Sequence, residues 1–268
     1  MSSDILQTLA EHASARVEKA KQQRSLSSVK ILAEQLPRRP FRFERAIEAR
    51  VNEAEEIAFI CECKKASPSK GLIAPEFPYL DIAQEYESAG ADCISVLTEP
   101  DFFLGSDEYL RQIAERVFIP CLRKDFTVDP YMIYEAKLLG ASAVLLICSI
   151  LETAALREYL HIADSLGLSA LVEAHDEAEI ESALTAGARM IGVNNRNLRD
   201  FSVDTSHAAN LRKNVPAGTL FVVESGMQSA ADIANARAAG ADAVLVGETL
   251  MRAPDKRAKL RELKGKSR

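Results

Sequence analysis

The sequence has no tryptophan, and aromatic residues make up only 6% of its 268 positions. Its core must therefore be aliphatic, and the 47% hydrophobic and 27% charged content lies in the range of ordinary globular proteins. There is no excess of basic residues. The 33 Lys and Arg face 39 Asp and Glu, the net charge is −6, and the isoelectric point is near 5.4. This argues against a nucleic-acid partner, which selects a basic surface. Long apolar runs are also missing. The longest, from Ala143 through Ile147 towards Leu151, is about half of the ~20 residues of a membrane helix, so no membrane partner is expected. Asp4 and Glu11 fall where an export signal would need an unbroken apolar stretch, which points to a cytoplasmic protein. The five cysteines (Cys61, Cys63, Cys93, Cys121 and Cys148) are odd in number and lie in apolar surroundings, and they read as reduced, buried thiols. No His or second cysteine pair follows Cys61 and Cys63 at zinc spacing, so no metal site is expected.

What the sequence does contain is a repeat. AGADCISVL (89–97), LGASAVLLI (139–147), AGARMIGVN (186–194) and AGADAVLVG (239–247) share Gly-Ala, a polar residue and an apolar β-rich run. Their glycines, Gly90, Gly140, Gly187 and Gly240, lie 50, 47 and 53 residues apart. Each follows an amphipathic stretch that a left-handed glycine would terminate, and each precedes a strand that reads as buried on both faces. Four more strand candidates alternate with these: IAFICECK (57–64), IPCLRKDF (119–126), LSALVEAH (168–175) and TLFVVESG (219–226).

Eight βα units in ~210 residues predict a (β/α)₈ TIM barrel. An open doubly wound sheet would show a G-x-G-x-x-G turn, which is absent. The chain is expected to be a single domain over 1–268, with a helical extension at 1–55 and the barrel at 56–268. Ile5, Leu9, Ala13 and Val17 predict one amphipathic helix, which Pro37-Arg38-Arg39-Pro40 interrupts, and FRFERAIEAR predicts a second; both would cap the barrel floor or rim.

Barrels of this kind act at the carboxyl ends of their strands. Five predicted strands end in ionisable or amide groups: Glu62 and Lys64; Lys124; Glu173; Asn194; and Glu224. A period of two puts Glu62 and Lys64 on the inner face and Cys61 and Cys63 on the outer one, and it pairs Leu122 with Lys124, Leu171 with Glu173, and Val222 with Glu224. A single charge at a strand end is ordinarily a solvated rim group. Two lysines converging with three glutamates would instead titrate as a set. His12, His161, His175 and His207 fall outside this set, His175 as a loop residue. Ser225-Gly226 and Gly247-Glu248 follow the seventh and eighth strands, where barrels often hold a phosphate, and Ser67 and Lys64 are able to approach from the first strand. A phosphorylated small molecule is the expected ligand.

The segment ECKKASPSKG (62–71) resembles the first-strand signature of the indole-3-glycerol phosphate synthase family, barrel enzymes of tryptophan biosynthesis. The likeness continues through SVLTEP (95–100), RKDF (123–126), LVEAH (171–175), IGVNNRNL (191–198), VESG (223–226) and VGETLM (246–251). The resemblance implies a carbon–carbon lyase without metal or organic cofactor. Its reaction would close 1-(2-carboxyphenylamino)-1-deoxyribulose 5-phosphate to an indole with loss of carbon dioxide and water. It further implies Lys124 as general acid and Glu173 as base in the dehydration. Lys64 would pair with the substrate carboxylate, while Glu62 and Asn194 would orient these groups. Ser67, Arg196, Glu224, Ser225, Gly226, Gly247 and Glu248 would contact substrate and phosphate, and Phe103 and Phe126 would form the aromatic pocket. The division of the acid role between Lys64 and Lys124 stays open. A monomer without a fused isomerase domain is expected. Two other readings compete: a different phosphate-binding barrel enzyme, such as an isomerase or a Schiff-base aldolase, and a non-catalytic phosphate-binding protein.

Overall fold

The computed structural model describes residues 5–197 and 201–266; Leu198, the last residue of the IGVNNRNL motif, lies outside them. Eight parallel strands close into a barrel: β1 (Ala58–Cys63), β2 (Cys93–Leu97), β3 (Cys121–Lys124), β4 (Ala143–Ile147), β5 (Ser169–Ala174), β6 (Met190–Asn194), β7 (Leu220–Glu224) and β8 (Ala243–Val246). Each strand pairs with its sequence neighbours, and β8 pairs back onto β1. The four repeat glycines all have positive φ, between +85° and +100°. Each ends a helix: α4 (Tyr79–Ser88), α6 (Pro130–Leu138), α8 (Glu177–Ala186) or α10 (Ala230–Ala238). Backbone without a Cβ is what lets the chain turn there into the next strand.

The alternation along each strand separates two cores. Ala58, Ile60, Leu122, Leu145, Leu171, Val222 and Leu245 point into the barrel, whereas Cys61, Cys63, Val144, Val172, Val223 and Val244 pack against the helices. Both thiols of β1 therefore lie outside the barrel lumen, as the period of two requires. Cys148 departs from the sequence expectation: it is free but only half-buried, because it opens the short 3₁₀ turn after β4.

The N-terminal extension holds three helices, not two. α1 (Ile5–Gln23) ends well before the prolines, and α2 (Leu26–Gln35) starts at Ser25, whose hydroxyl accepts from the Ser28 N–H. This Ser N-cap, in a polar stretch, is the start signal of a separate helix that the proline pair overshadowed. α3 (Arg42–Glu53) inserts Phe43 and Ile47 into the inner core as the barrel floor. Its first turn is tied to β5, where the Ser169 hydroxyl accepts from the Glu44 N–H at 3.2 Å. α1 lies at the opposite end, with Leu9 and Ala13 in the same inner core. α2 covers α6, on which Tyr131, Met132, Ile133, Tyr134, Ala136 and Lys137 are all buried. α6 is therefore not amphipathic, because the extension buries the face that would otherwise be solvated.

Candidate active site

The upper layer of the barrel is charged because the inward positions change from aliphatic to polar one step above the core. Ladder pairs set Glu62 opposite Ser95, Glu173 opposite Gly192, and Asn194 opposite Glu224. All fourteen positions singled out from the sequence line one cavity of about 510 Å³: Glu62, Lys64, Ser67, Phe103, Lys124, Phe126, Glu173, Asn194, Arg196, Glu224, Ser225, Gly226, Gly247 and Glu248.

Lys124 Nζ lies 3.5 Å from Glu173 Oε2 and 3.6 Å from Glu224 Oε2. Burial works against its ammonium, but Glu224, Glu173 and Glu62 outweigh burial and keep the proton on, above the ordinary lysine range. Lys64 Nζ makes a 2.5 Å ion pair with Glu62 Oε1, and Ser95 Oγ donates to Glu62 Oε2 at 3.4 Å. Burial alone would raise Glu62, yet Lys64 and Lys124 hold it below the usual carboxylate range. Glu224 goes the other way. Burial, together with Glu173 and Glu62, outweighs Lys124 and pushes its carboxyl up to about 8. Its Oε1 is buried and has no hydrogen-bond partner among the described residues. The charged Lys124 thus shares the mouth with Glu62, which is held ionised, and with Glu224, which readily carries a proton, a layout suited to general acid–base work.

Two glycines make room for this cluster. A Cβ at Gly192 would collide with Glu224 Oε1, and one at Gly247 would collide with Glu62 Oε1 and stand 3.0 Å from Lys64 Nζ. The sequence suggested Gly247 only as a phosphate loop residue and did not single out Gly192. Asn194 donates from Nδ2 to Glu173 Oε1 at 3.5 Å, and its Oδ1 accepts the Arg196 N–H at 3.0 Å, so it links the glutamate to the following loop.

Ser225 and Gly226 both have positive φ, +65° and +85°. Successive residues of this kind shape a loop whose N–H groups can converge on an anion. Arg196 donates to the Phe201 carbonyl and reaches within 3.6 Å of Glu248. The rings of Phe103 and Phe126 are 6.1 Å apart, and Leu97, Leu145 and Ile147 complete an apolar wall together with Ile5 and Leu9 of α1.

Several contributors, among them the strand-end Asp125, had no role assigned from the sequence. The buried Glu99 accepts from the N–H groups of Asp101, Phe102 and Phe103 at 3.0, 2.8 and 2.9 Å, which wraps the loop that carries Phe103. Asp125, next to Lys124, receives both Arg16 terminal nitrogens at 3.1 and 2.6 Å and the Thr98 hydroxyl at 2.6 Å. Burial pushes Asp125 up, but Arg16 and Arg123 together hold it low. Lys70 and Arg252 also line the cavity. His175 follows β5 and accepts, through its carbonyl, from His207 Nε2; neither histidine lines the cavity. Among the described residues, no group of three or more His, Cys, Asp or Glu is arranged to hold a metal ion. No described helix is long and apolar enough to cross a membrane.

Fold and site together define a barrel of the (β/α)₈ enzyme class, with its candidate site where such barrels act, at the carboxyl ends of the strands. The fold is shared with distant proteins such as 3-hexulose-6-phosphate synthase from Salmonella typhimurium. That match has a TM-score of 0.64 at 16% identity, covering 78% of this chain and 97% of that one. The family model of indole-3-glycerol phosphate synthase matches residues 6–263. The chain is 56% identical to the indole-3-glycerol phosphate synthase of Ruminiclostridium cellulolyticum and 51% identical to that of Endomicrobium trichonymphae, in both cases over 97% of this chain and 99% of the relative. The chain belongs to the indole-3-glycerol phosphate synthase family.

Proposed function

We propose that this chain closes 1-(2-carboxyphenylamino)-1-deoxyribulose 5-phosphate to indole-3-glycerol phosphate, releasing carbon dioxide and water. The observation that carries this reading is Lys124, held charged between Glu173 and Glu224 in a cavity walled on one side by Phe103 and Phe126. The aryl carbon bearing the carboxylate attacks the ketone carbon, and the carbonyl electron pair moves to oxygen. Lys124 stabilises that developing charge and donates the proton. Loss of carbon dioxide returns its bonding pair to the ring and restores aromaticity. In the dehydration, Glu173 takes the proton whose electrons form the new double bond, and the hydroxyl departs with a proton from a lysine. Lys64 is the partner of the substrate carboxylate. A single ammonium contact is weaker than a bidentate guanidinium, which suits a group that must be released. Glu62 orients Lys64, and Asn194 orients Glu173 and the departing hydroxyl. Ser67, Arg196 and the loops at Ser225-Gly226 and Gly247 take the phosphate.

Every group in this scheme comes from one chain, which supports a monomer acting on a phosphorylated small molecule. Five free thiols suit the reducing cytoplasm. Incubation with the anilino sugar phosphate tests the reading. Indole fluorescence should rise with equimolar release of carbon dioxide, against little background from a protein with no tryptophan. Consumption of the substrate without an indole signal, or a borohydride-trapped lysine adduct, would favour the isomerase or aldolase reading instead.

A further inference from the structure

Glu248 does not fit the role that its position suggests. It opens α11 (Glu248–Arg252) beside Gly247, inside the cavity, yet a carboxylate repels a phosphate dianion. Its surroundings show what it touches instead. Arg252 Nε donates to its Oε1 at 3.0 Å, one helical turn away on the same helix. Arg196 Nη2 stands 3.6 Å from its Oε2, and Lys70 Nζ 3.8 Å from its Oε1. The last two separations are ion pairs beyond hydrogen-bond reach, so these pairs leave the facing N–H donors uncommitted. Arg252 therefore fixes the carboxylate, and the carboxylate gathers two cations from two other loops by charge alone.

We propose that the Glu248 carboxylate is not a phosphate ligand but the protein's own counter-ion, which competes with the substrate phosphate for Arg196 and Lys70 and so weakens phosphate binding. This rests on the phosphate site assigned above. Lys64 is committed to Glu62, so among the described residues at this corner Lys70, Arg196 and Arg252 supply three positive charges and Glu248 subtracts one. The remaining two match a phosphate monoester, which carries about −1.5 to −2 at neutral pH. Glu248 thereby sets an affinity that allows product to leave. Without it the same three cations would face the dianion with an unmatched charge.

The test is calorimetric titration of inorganic phosphate into the wild type and into E248Q. Gln keeps the shape and can still accept from Arg252 Nε, but it removes the charge. The expected result is phosphate binding about tenfold tighter in E248Q, with the gain shrinking as salt is raised, and a parallel fall in KM for the sugar phosphate substrate. Unchanged or weaker phosphate binding in E248Q would overturn the proposal and make Glu248 a scaffold for the cations. Absence of phosphate binding in both proteins would overturn it as well. E248S provides the same readout with the same sign if E248Q does not fold. Failure of the reaction assignment is separately visible: the wild type would then bind phosphate but form no indole from the anilino substrate, and the comparison with E248Q would still stand.

Discussion

At the scale of single residues, the cluster is governed by which carboxylates burial leaves ionised. Glu62 and Glu224 start from the same ordinary value and are shifted in opposite directions, because Glu62 has Lys64 to itself whereas Glu224 shares Lys124 with Glu173. The difference has a consequence for stability. Between its ordinary value of 4.5 and about 8, the folded chain holds a proton on Glu224 that the unfolded chain has lost. Stability must therefore fall as pH rises through that window. In E224Q this dependence is gone. Denaturant melts at pH 5 and pH 8 should show the wild type losing on the order of 2 kcal/mol more than E224Q across the interval. Parallel losses in the two proteins would show that Glu224 ionises normally. Gly192 belongs to the same picture: its missing side chain is the space that Glu224 Oε1 occupies. No periodicity argument could find it, because a glycine in a strand has no side chain to assign to a face.

At the scale of elements, the strands and the helical character of the extension were legible, and the division of the extension into three helices was not. A period of two is enough to send Leu122 and Lys124 inward and Cys61 and Cys63 outward, and the glycine repeat marks where four strands begin. α2 escaped because its Ser25 cap lies in a polar run, while the prolines at 37 and 40 gave a louder and later stop. Contacts between distant segments were equally silent. Nothing local says that Arg16 of α1 reaches Asp125, 109 residues on, and grips it with both terminal nitrogens. That contact joins the mouth-side helix to the residue after Lys124, so α1 should help to hold Lys124, the proposed general acid. Replacement of Arg16 by Ala leaves the buried Asp125 with less compensation. We expect a loss of about 2 kcal/mol in stability, discounted because Arg16 is partly exposed. A roughly tenfold fall in kcat should accompany it with the circular dichroism unchanged. R16K, which keeps the charge but lacks the fork, should fall between the two. Full activity in R16A would detach α1 from the chemistry.

At the scale of the whole molecule, the fold separates stability from function along one axis. α3 plugs the floor with Phe43 and Ile47, aliphatic layers fill the middle, and charge is confined to the mouth, where α1 supplies part of the wall. Residue types at strand ends and in the loops that follow pointed to most of the fourteen cavity positions, while Phe103 and Phe126 came only from the family resemblance. Residue types were not sufficient to give each one a sign: Glu248 reads as a phosphate contact from its position and as a counter-ion from its neighbours. The lack of tryptophan, at first only a description of the core, makes the protein nearly dark against its own product. This allows the central claim, that Lys124 is the proton donor, to be tested on one variant by one signal. K124M should lose at least about 10³-fold in indole formation while binding inorganic phosphate as the wild type does. Near-normal indole formation by K124M would contradict the account.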